Sequence, residues 1–389
     1  MHPRLLHILN LDTVGGVEQL FVDFLRQNAC RGTANHLLVT NGLPHPLFKE
    51  VLENFCATTA CEKYCGSIKI PSFFRSFKKQ RYVHKVAPQL VVLWNRFEET
   101  SYNIPRVYYE HGASWIERSD KNLTPFFSSV SGIIANSHAA KRLLELKWQI
   151  KNEIHVVHNP LRIDLEPRSE AKTLSTRGDI HLGYIGRLIN LKGVCLILHA
   201  IVHLKAQGIH AYVSIAGDGP LRLQLEKEAH DLGVINQVNF FGTVSNVQQF
   251  YDSIDLLIVP SLREPLGLVA QEAHLRGCPV IATAVDGLVE VVQDRKTGFT
   301  IEPELTVQEY VRYSKNAEKL PDCVYDPVSD TLTEPKAVHP EKIAEKVAFF
   351  VRSPSTYTQF SRSAIDAAMK RPNFVSYEEN LYKILQGFV

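Results

Sequence analysis

At 389 residues and a formal net charge of +2, the chain is long enough for two domains of ordinary size, each with its own core. Seven cysteines, an odd and scattered number, argue against a disulfide framework and for a reducing compartment. No apolar stretch approaches the roughly 18 residues that a membrane-spanning helix needs.

The start, Met1-His2-Pro3-Arg4, leads directly into the strand-like run Leu5-Leu6-His7-Ile8-Leu9 and reads as having no secretory leader. Next comes Asp12-Thr13-Val14-Gly15-Gly16-Val17-Glu18, then an amphipathic helix through Phe21, Phe24 and Leu25. A glycine pair between strand and helix lets backbone N–H groups approach a phosphate at the helix N-terminus, although any tight turn also favours glycine. It is neither a Walker loop nor the dinucleotide fingerprint.

The charge is uneven. Residues 1–178 hold 23 Lys and Arg against 16 Asp and Glu, and the remainder 20 against 25, which suggests that one domain faces an anionic surface or acceptor. The densest basic stretch is Phe73-Phe74-Arg75-Ser76-Phe77-Lys78-Lys79-Gln80-Arg81-Tyr82. It suits a helix lying on anionic lipid, or an ordinary surface helix with its three phenylalanines packed inward. No nucleic-acid motif accompanies the charge.

Strand patterns at 36–40, 90–95, 106–110, 132–136 and 155–158 alternate with helical ones, which implies a mostly parallel sheet covered by helices. Val107-Tyr108-Tyr109-Glu110 ends in His111-Gly112. A histidine at a strand's carboxyl end can stabilise developing charge, move a proton, or fix the loop. Asn136-Ser137-His138 and His158-Asn159-Pro160 lie at further strand ends. Residues 161–178 are polar and aperiodic, and read as an interdomain linker.

A second α/β unit begins with His181-Leu182-Gly183-Tyr184-Ile185-Gly186-Arg187, followed by Leu188-Ile189-Asn190-Leu191-Lys192-Gly193. Arg187 offers a planar fork and Lys192 a point charge. Converging on one loop, they suit a diphosphate, and would stabilise one that leaves with developing charge; the plainer reading is a surface ion pair. Tyr212–Ala216 reads as a strand ending in Gly217-Asp218-Gly219-Pro220, where Asp218 is placed to N-cap the next helix.

The buried-strand run Asp255–Pro260 precedes Ser261-Leu262-Arg263-Glu264-Pro265-Leu266-Gly267-Leu268-Val269-Ala270-Gln271-Glu272-Ala273. Glu264 falls in the loop at a strand's carboxyl end, the usual ligand crevice of an open α/β sheet, and Glu272 on the helix that follows. Eight helical residues rise roughly 12 Å, more than the roughly 5–9.5 Å between a glycosidase's paired carboxylates. The two glutamates therefore suit opposite ends of an elongated ligand such as a nucleotide-sugar, or else one caps the helix and the other is solvated.

The Glu-x7-Glu spacing, the segment Glu-Pro-Leu-Gly-Leu-x-x-x-Glu-Ala, and Gly277-Cys278-Pro279-Val280-Ile281-Ala282-Thr283 closely resemble retaining glycosyltransferases of the GT-B fold, family four. The resemblance covers most of the chain and is strongest over 180–300. It implies an α/β protein of two Rossmann-like domains facing each other across a cleft: an acceptor-side domain at 1–170, completed by a C-terminal helix at 375–389, and a donor-binding domain at 171–374. It further implies that Arg187 and Lys192 hold the donor diphosphate, Glu272 the ribose and Glu264 the sugar hydroxyls. His111 would lie near the donor sugar, Gly15 and Gly16 along its phosphates, and Gly217, Gly267 and Leu268 beside the nucleotide-sugar. In such enzymes the leaving phosphate can itself deprotonate the acceptor, so no dedicated base is named.

Two segments depart from the family. Asp286-Gly287-Leu288-Val289-Glu290 replaces the usual Gly-Gly-x-Pro-Glu, and residues 303–340 hold an insertion whose segment 322–330 reads as a loop. Helical patterns near 341–352, 357–370 and 376–388 close the chain. No Asp-x-Asp occurs, Ala200 stands where a zincin with His199 and His203 would need glutamate, and no serine nucleophile elbow appears. A metal-independent enzyme without cofactor is expected. By analogy its donor is a UDP-sugar and its acceptor a cell-envelope glycan or glycolipid, such as lipopolysaccharide core or capsule. The expected location is cytoplasmic, peripheral on the inner face of the membrane. The competing functions are a sugar-nucleotide epimerase or hydrolase on the same fold, and a noncatalytic nucleotide-sugar-binding protein.

Overall fold

The computed structural model describes residues 4–28, 34–40, 42–66, 68–98, 102–175, 178–316, 318 and 320–389. The chain divides into two compact units, one running to Pro160 and including Pro372–Val389, the other Leu161–Arg371. Each has its own apolar core.

The first unit contains β1 (Arg4–Leu9), β2 (Ala34–Val39), β3 (Thr58–Cys61), β4 (Tyr64–Cys65), β5 (Ile68–Lys69), β6 (Leu90–Trp94), β7 (Arg106–Glu110), β8 (Gly132–Ala135) and β9 (Ile154–Val156). Seven of these form one parallel sheet in the order β3-β2-β1-β6-β7-β8-β9; β4 and β5 make a small antiparallel ribbon. Parallel strands are covered on both faces, which is why β6 and β7 are buried along their whole length rather than at alternate residues. The last helix, Phe374–Gln386, places Phe374, Tyr377, Leu381, Tyr382 and Leu385 in this core at helical spacing. Asn373 caps it by accepting the Ser376 N–H at 2.9 Å.

The second unit contains β10 (Ile180–Ile185), β11 (Ala211–Ala216), β12 (Val238–Gly242), β13 (Leu256–Val259), β14 (Val280–Thr283), β15 (Gly298–Ile301), β16 (Val324–Asp326) and β17 (Thr331–Thr333). The first six form a parallel sheet ordered β12-β11-β10-β13-β14-β15. The chain builds outward from β10, then returns to lay β13 on its other side. Strand order reverses between β10 and β13, the point where open α/β sheets bind ligands.

Three sequence expectations change. Residues 322–330 are not a loop: β16 and β17 pair as an antiparallel hairpin. The segment read as a linker is anchored on the second unit. Arg168 donates its N–H to Leu275 at 3.0 Å, and buried Lys172 sends its ammonium to the carbonyls of Tyr251 (2.6 Å) and Ile254 (2.5 Å). Asp218 does not cap a helix; it accepts the Gly219 N–H at 2.7 Å, and the helix begins at Arg222.

Buried histidines set an acid limit on stability. In β1, His7 lies against Phe21, Phe24 and Trp94; its Nε2 pairs with Asn35 at 3.0 Å, and the Trp94 indole N–H donates to its Nδ1 at 3.1 Å. Burial lowers the pKa of His7 to about 4, and those of His111 and His274 to about 3. The unfolded chain titrates near the ordinary 6.5 and so binds more protons below that pH. Stability should therefore fall as pH drops from about 6.5 toward 4. Melting curves between pH 7.5 and 4.5 test this, and a flat Tm across that range would contradict it.

Candidate active site

The loops at the carboxyl end of the second sheet approach too closely for side chains at their contact points. Gly217, at φ +126°, would place a Cβ 1.9 Å from the Gly186 carbonyl oxygen. Gly193, at φ +63°, would place one 2.2 Å from that of Pro260. Hydrogen bonds join the same segments: Leu188 N–H to Asp218 O at 2.9 Å, Leu221 N–H to Leu188 O at 3.1 Å, and Leu262 N–H to Leu191 O at 2.9 Å. Gly217→Ala combines a backbone clash with a conformation open only to glycine, and should cost about 3 kcal/mol or more. A lower denaturant midpoint at unchanged m-value would register it.

This framework carries two cations on one loop. Arg187 is exposed, and its carbonyl is held by the buried Tyr184 hydroxyl at 2.9 Å. Lys192 closes a single 3-10 turn, Asn190–Lys192, whose position is fixed where the Tyr310 hydroxyl donates to Asn190 O at 2.7 Å. The Lys192 ammonium reaches Glu264 Oε2 at 2.5 Å, a pair joined across 72 residues of sequence. Both side chains are only partly exposed, 22% and 14%. Lys192 follows β10 and Glu264 follows β13, so the pair spans the strand-order reversal.

Helix Leu268–Leu275 starts from Gly267 at φ +92°. Only the interval from Leu268 to Glu272 is helical, so the 12 Å rise expected between the two glutamates does not hold; the helical part contributes about 6 Å. Nor is Glu272 solvated. It is buried and accepts the Tyr251 hydroxyl at 2.8 Å. Burial raises its pKa, against which Arg162 and the Tyr251 bond act to favour the carboxylate. Tyr251 gave no signal in the sequence, since a buried tyrosine on a helix reads as core.

In the first unit, Gly15 and Gly16 stand where β1 passes into helix Gly16–Asn28. A Cβ on Gly15 would meet the Glu18 carboxylate at 2.5 Å. His111 follows β7, stacked on Trp94 with centroids 5.7 Å apart and also touching Tyr109 at 4.1 Å. Neither of its ring nitrogens has a hydrogen-bond partner. Its turn is fixed from below: the buried Glu110 carboxylate accepts the Gly112 N–H, the Ser114 N–H at 3.2 Å and the Tyr108 hydroxyl at 2.6 Å. From the side, Asn95 Oδ1 accepts the N–H groups of His111 and Ala113 at 3.0 and 2.7 Å. His111 is thus a neutral imidazole in a rigid turn.

Helix Ser72–Val86 does not pack its phenylalanines inward. Phe73, Phe74 and Phe77 are 74%, 54% and 65% exposed. Two of its cations turn inward instead: Lys78 donates to the carbonyls of Cys61 and Tyr64, and buried Lys79 to Glu98 at 2.9 Å. Among the described residues no helix is long and apolar enough to cross a membrane.

Two family models match in succession: Glycosyltransferase Family 4 over residues 14–165 and Glycosyl transferases group 1 over 166–334. The lipopolysaccharide core biosynthesis glycosyltransferase LpsD of Rhizobium meliloti (strain 1021) is 26% identical over 295 residues, spanning 73% of this chain and 79% of its own. Two solved structures share the GT-B fold over nearly the whole length. Anabaena HepE, in complex with UDP and glucose, aligns with a TM-score of 0.71 at 18% identity, covering 99% of this chain and 100% of its own. WaaG, a glycosyltransferase involved in lipopolysaccharide biosynthesis, aligns at 0.67 and 16% identity, covering 98% and 100%.

Proposed function

The chain belongs to the group 1 glycosyl transferases of family four, and from that premise we propose that it transfers a sugar with retention of anomeric configuration. The donor is a nucleoside-diphosphate sugar, and the complex of HepE with UDP and glucose favours UDP as its carrier. The acceptor is a hydroxyl of a cell-envelope glycan or glycolipid, the class suggested by the likeness to LpsD and WaaG.

The observation that carries the reading is the Lys192–Glu264 contact of 2.5 Å at the strand-order reversal, with exposed Arg187 on the same loop. On donor binding the two cations face the diphosphate and Glu264 accepts from hydroxyls of the sugar. Glu272, which already accepts the Tyr251 hydroxyl, takes the ribose hydroxyls. The bond from the anomeric carbon to the diphosphate oxygen breaks, and the acceptor oxygen bonds to that carbon on the same face. The acceptor's proton passes to an oxygen of the departing diphosphate. Arg187 and Lys192 stabilise the charge that builds there, so the reaction as proposed needs no metal. The exposed phenylalanines of helix Ser72–Val86, beside exposed Lys69, Arg81 and Lys85, bring the protein onto the anionic inner face of the cytoplasmic membrane.

The test is a panel of UDP-, GDP- and ADP-sugars, without acceptor and then with lipid-linked glycan extracts, followed by nucleotide release, product mass and the anomeric configuration of the product. Acceptor-dependent release of one nucleoside diphosphate supports the reading. Turnover of a sugar nucleotide without acceptor would replace it with epimerisation or hydrolysis, and binding without turnover with a noncatalytic role.

A further inference from the structure

Two segments distant in sequence meet at Asp286. Glu264 donates its N–H to Asp286 Oδ2 at 2.9 Å and accepts the Gly287 N–H at its own carbonyl at 3.1 Å. Tyr325, in β16, donates its N–H to Asp286 Oδ1 at 2.8 Å and accepts the Asp286 N–H at 3.0 Å. Asp286 and Gly287 therefore grip both backbone polar groups of Glu264 on one side and both of Tyr325 on the other. The fit is close enough that a Cβ on Gly287 would lie 2.2 Å from the Pro265 carbonyl oxygen.

Asp286 is fully buried and sits at φ +47°, in the left-handed region where glycine is at ease and other residues pay about 1 kcal/mol. A buried carboxylate there is costly unless its oxygens are satisfied. Here each oxygen accepts an N–H, and the two come from different segments. A free backbone at Glu264 would let its side chain swing away from Lys192. With both polar groups held, the carboxylate starts from a fixed Cα and meets Lys192 at 2.5 Å.

We propose that Asp286 is a positioning residue for Glu264, and that through it the hairpin β16–β17 holds the carboxylate in its donor-facing orientation. The inference rests on Glu264 contacting the donor sugar, as proposed above. It gives the hairpin a role in the chemistry through the backbone it holds.

The test compares Asp286→Gly, Asp286→Asn, Glu264→Gln and the double variant Asp286→Gly/Glu264→Gln. Glycine accepts the backbone conformation while removing both acceptor oxygens, so the protein should fold. Hydrogen exchange at 261–267 and 324–333 should rise together. UDP, which lacks the sugar, should bind within about twofold of wild type, while kcat with the sugar nucleotide active in the panel falls about 30-fold, as misplacement of a positioned group does. Asparagine keeps one acceptor and should recover part of the loss. The double variant should be no slower than Glu264→Gln alone, because both changes disable one device. Wild-type kcat in Asp286→Gly, or losses that multiply in the double variant, would overturn the proposal. If the wild-type protein turns over no sugar nucleotide, it is the transferase reading that fails. Exchange then decides the clamp, and unchanged protection at Glu264 in Asp286→Gly rejects it.

Discussion

Lys192→Ala is expected to lower kcat/KM for the sugar nucleotide by about three orders of magnitude, the upper range for removing one preorganised charge-stabilising group. Two losses combine. In the proposed reaction the cation would no longer meet the charge that develops on the leaving diphosphate. The Glu264 carboxylate, 14% exposed and 2.5 Å from the ammonium in the intact protein, is also left without its charged partner, and a part-buried carboxylate so exposed to mispairing reorients. Lys192→Arg keeps the charge but replaces a compact ammonium with a planar fork, and should recover only part of the rate. Lys227, on a surface helix and paired with Asp231, is a suitable control: Lys227→Ala should leave turnover unchanged, since exposed pairs contribute little. Nucleotide release under single-turnover conditions reads the effect directly. A loss below about tenfold would remove Lys192 from the machinery.

Sequence made the strands of both sheets legible where parallel pairing leaves them buried on both faces, as in Leu90–Trp94 and Leu256–Val259. It made the strand-end positions of His111, Arg187 and Glu264 legible for the same reason, because function collects at carboxyl ends of such strands. The Lys192–Glu264 contact was not legible from spacing, since it depends on β13 returning beside β10. Nor was the hairpin: Val324–Asp326 and Thr331–Thr333 are three-residue strands without clear alternation, and their place is decided by Asp286 far away in sequence. Asp286 itself looked only like a departure from a glycine-rich family segment. Its meaning lies in which N–H groups its two oxygens receive. The basic stretch at 73–82 was half legible. Its composition suggested lipid, but two of its lysines are spent on internal carbonyls and carboxylates.

That redistribution shapes what mutation of the same helix should do. Replacing Phe73, Phe74 and Phe77 together by serine is expected to reduce partitioning onto anionic vesicles about 100-fold. Full burial of one phenylalanine is worth about 1.5–3 kcal/mol, so three side chains entering the interface to half that extent supply about 2–4.5 kcal/mol, roughly one and a half to three decades at 1.4 kcal/mol each. Exposed Lys69, Arg81 and Lys85 add about 1 kcal/mol apiece near an anionic surface. Wild-type binding should therefore weaken with salt and on phosphatidylcholine vesicles. Phe73 and Phe74 lie against each other, tilted, with centroids 4.2 Å apart but are mostly exposed, so the serine variant should keep its Tm and its turnover of soluble donor. Lys79→Ala should do the reverse. Its ammonium pairs with buried Glu98, and losing it costs stability without removing a lipid contact. Sedimentation with vesicles of phosphatidylglycerol and phosphatidylethanolamine measures the partitioning. Equal binding by wild type and the serine variant would show that this helix does not carry the protein to the membrane, even if the enzyme acts on a glycolipid.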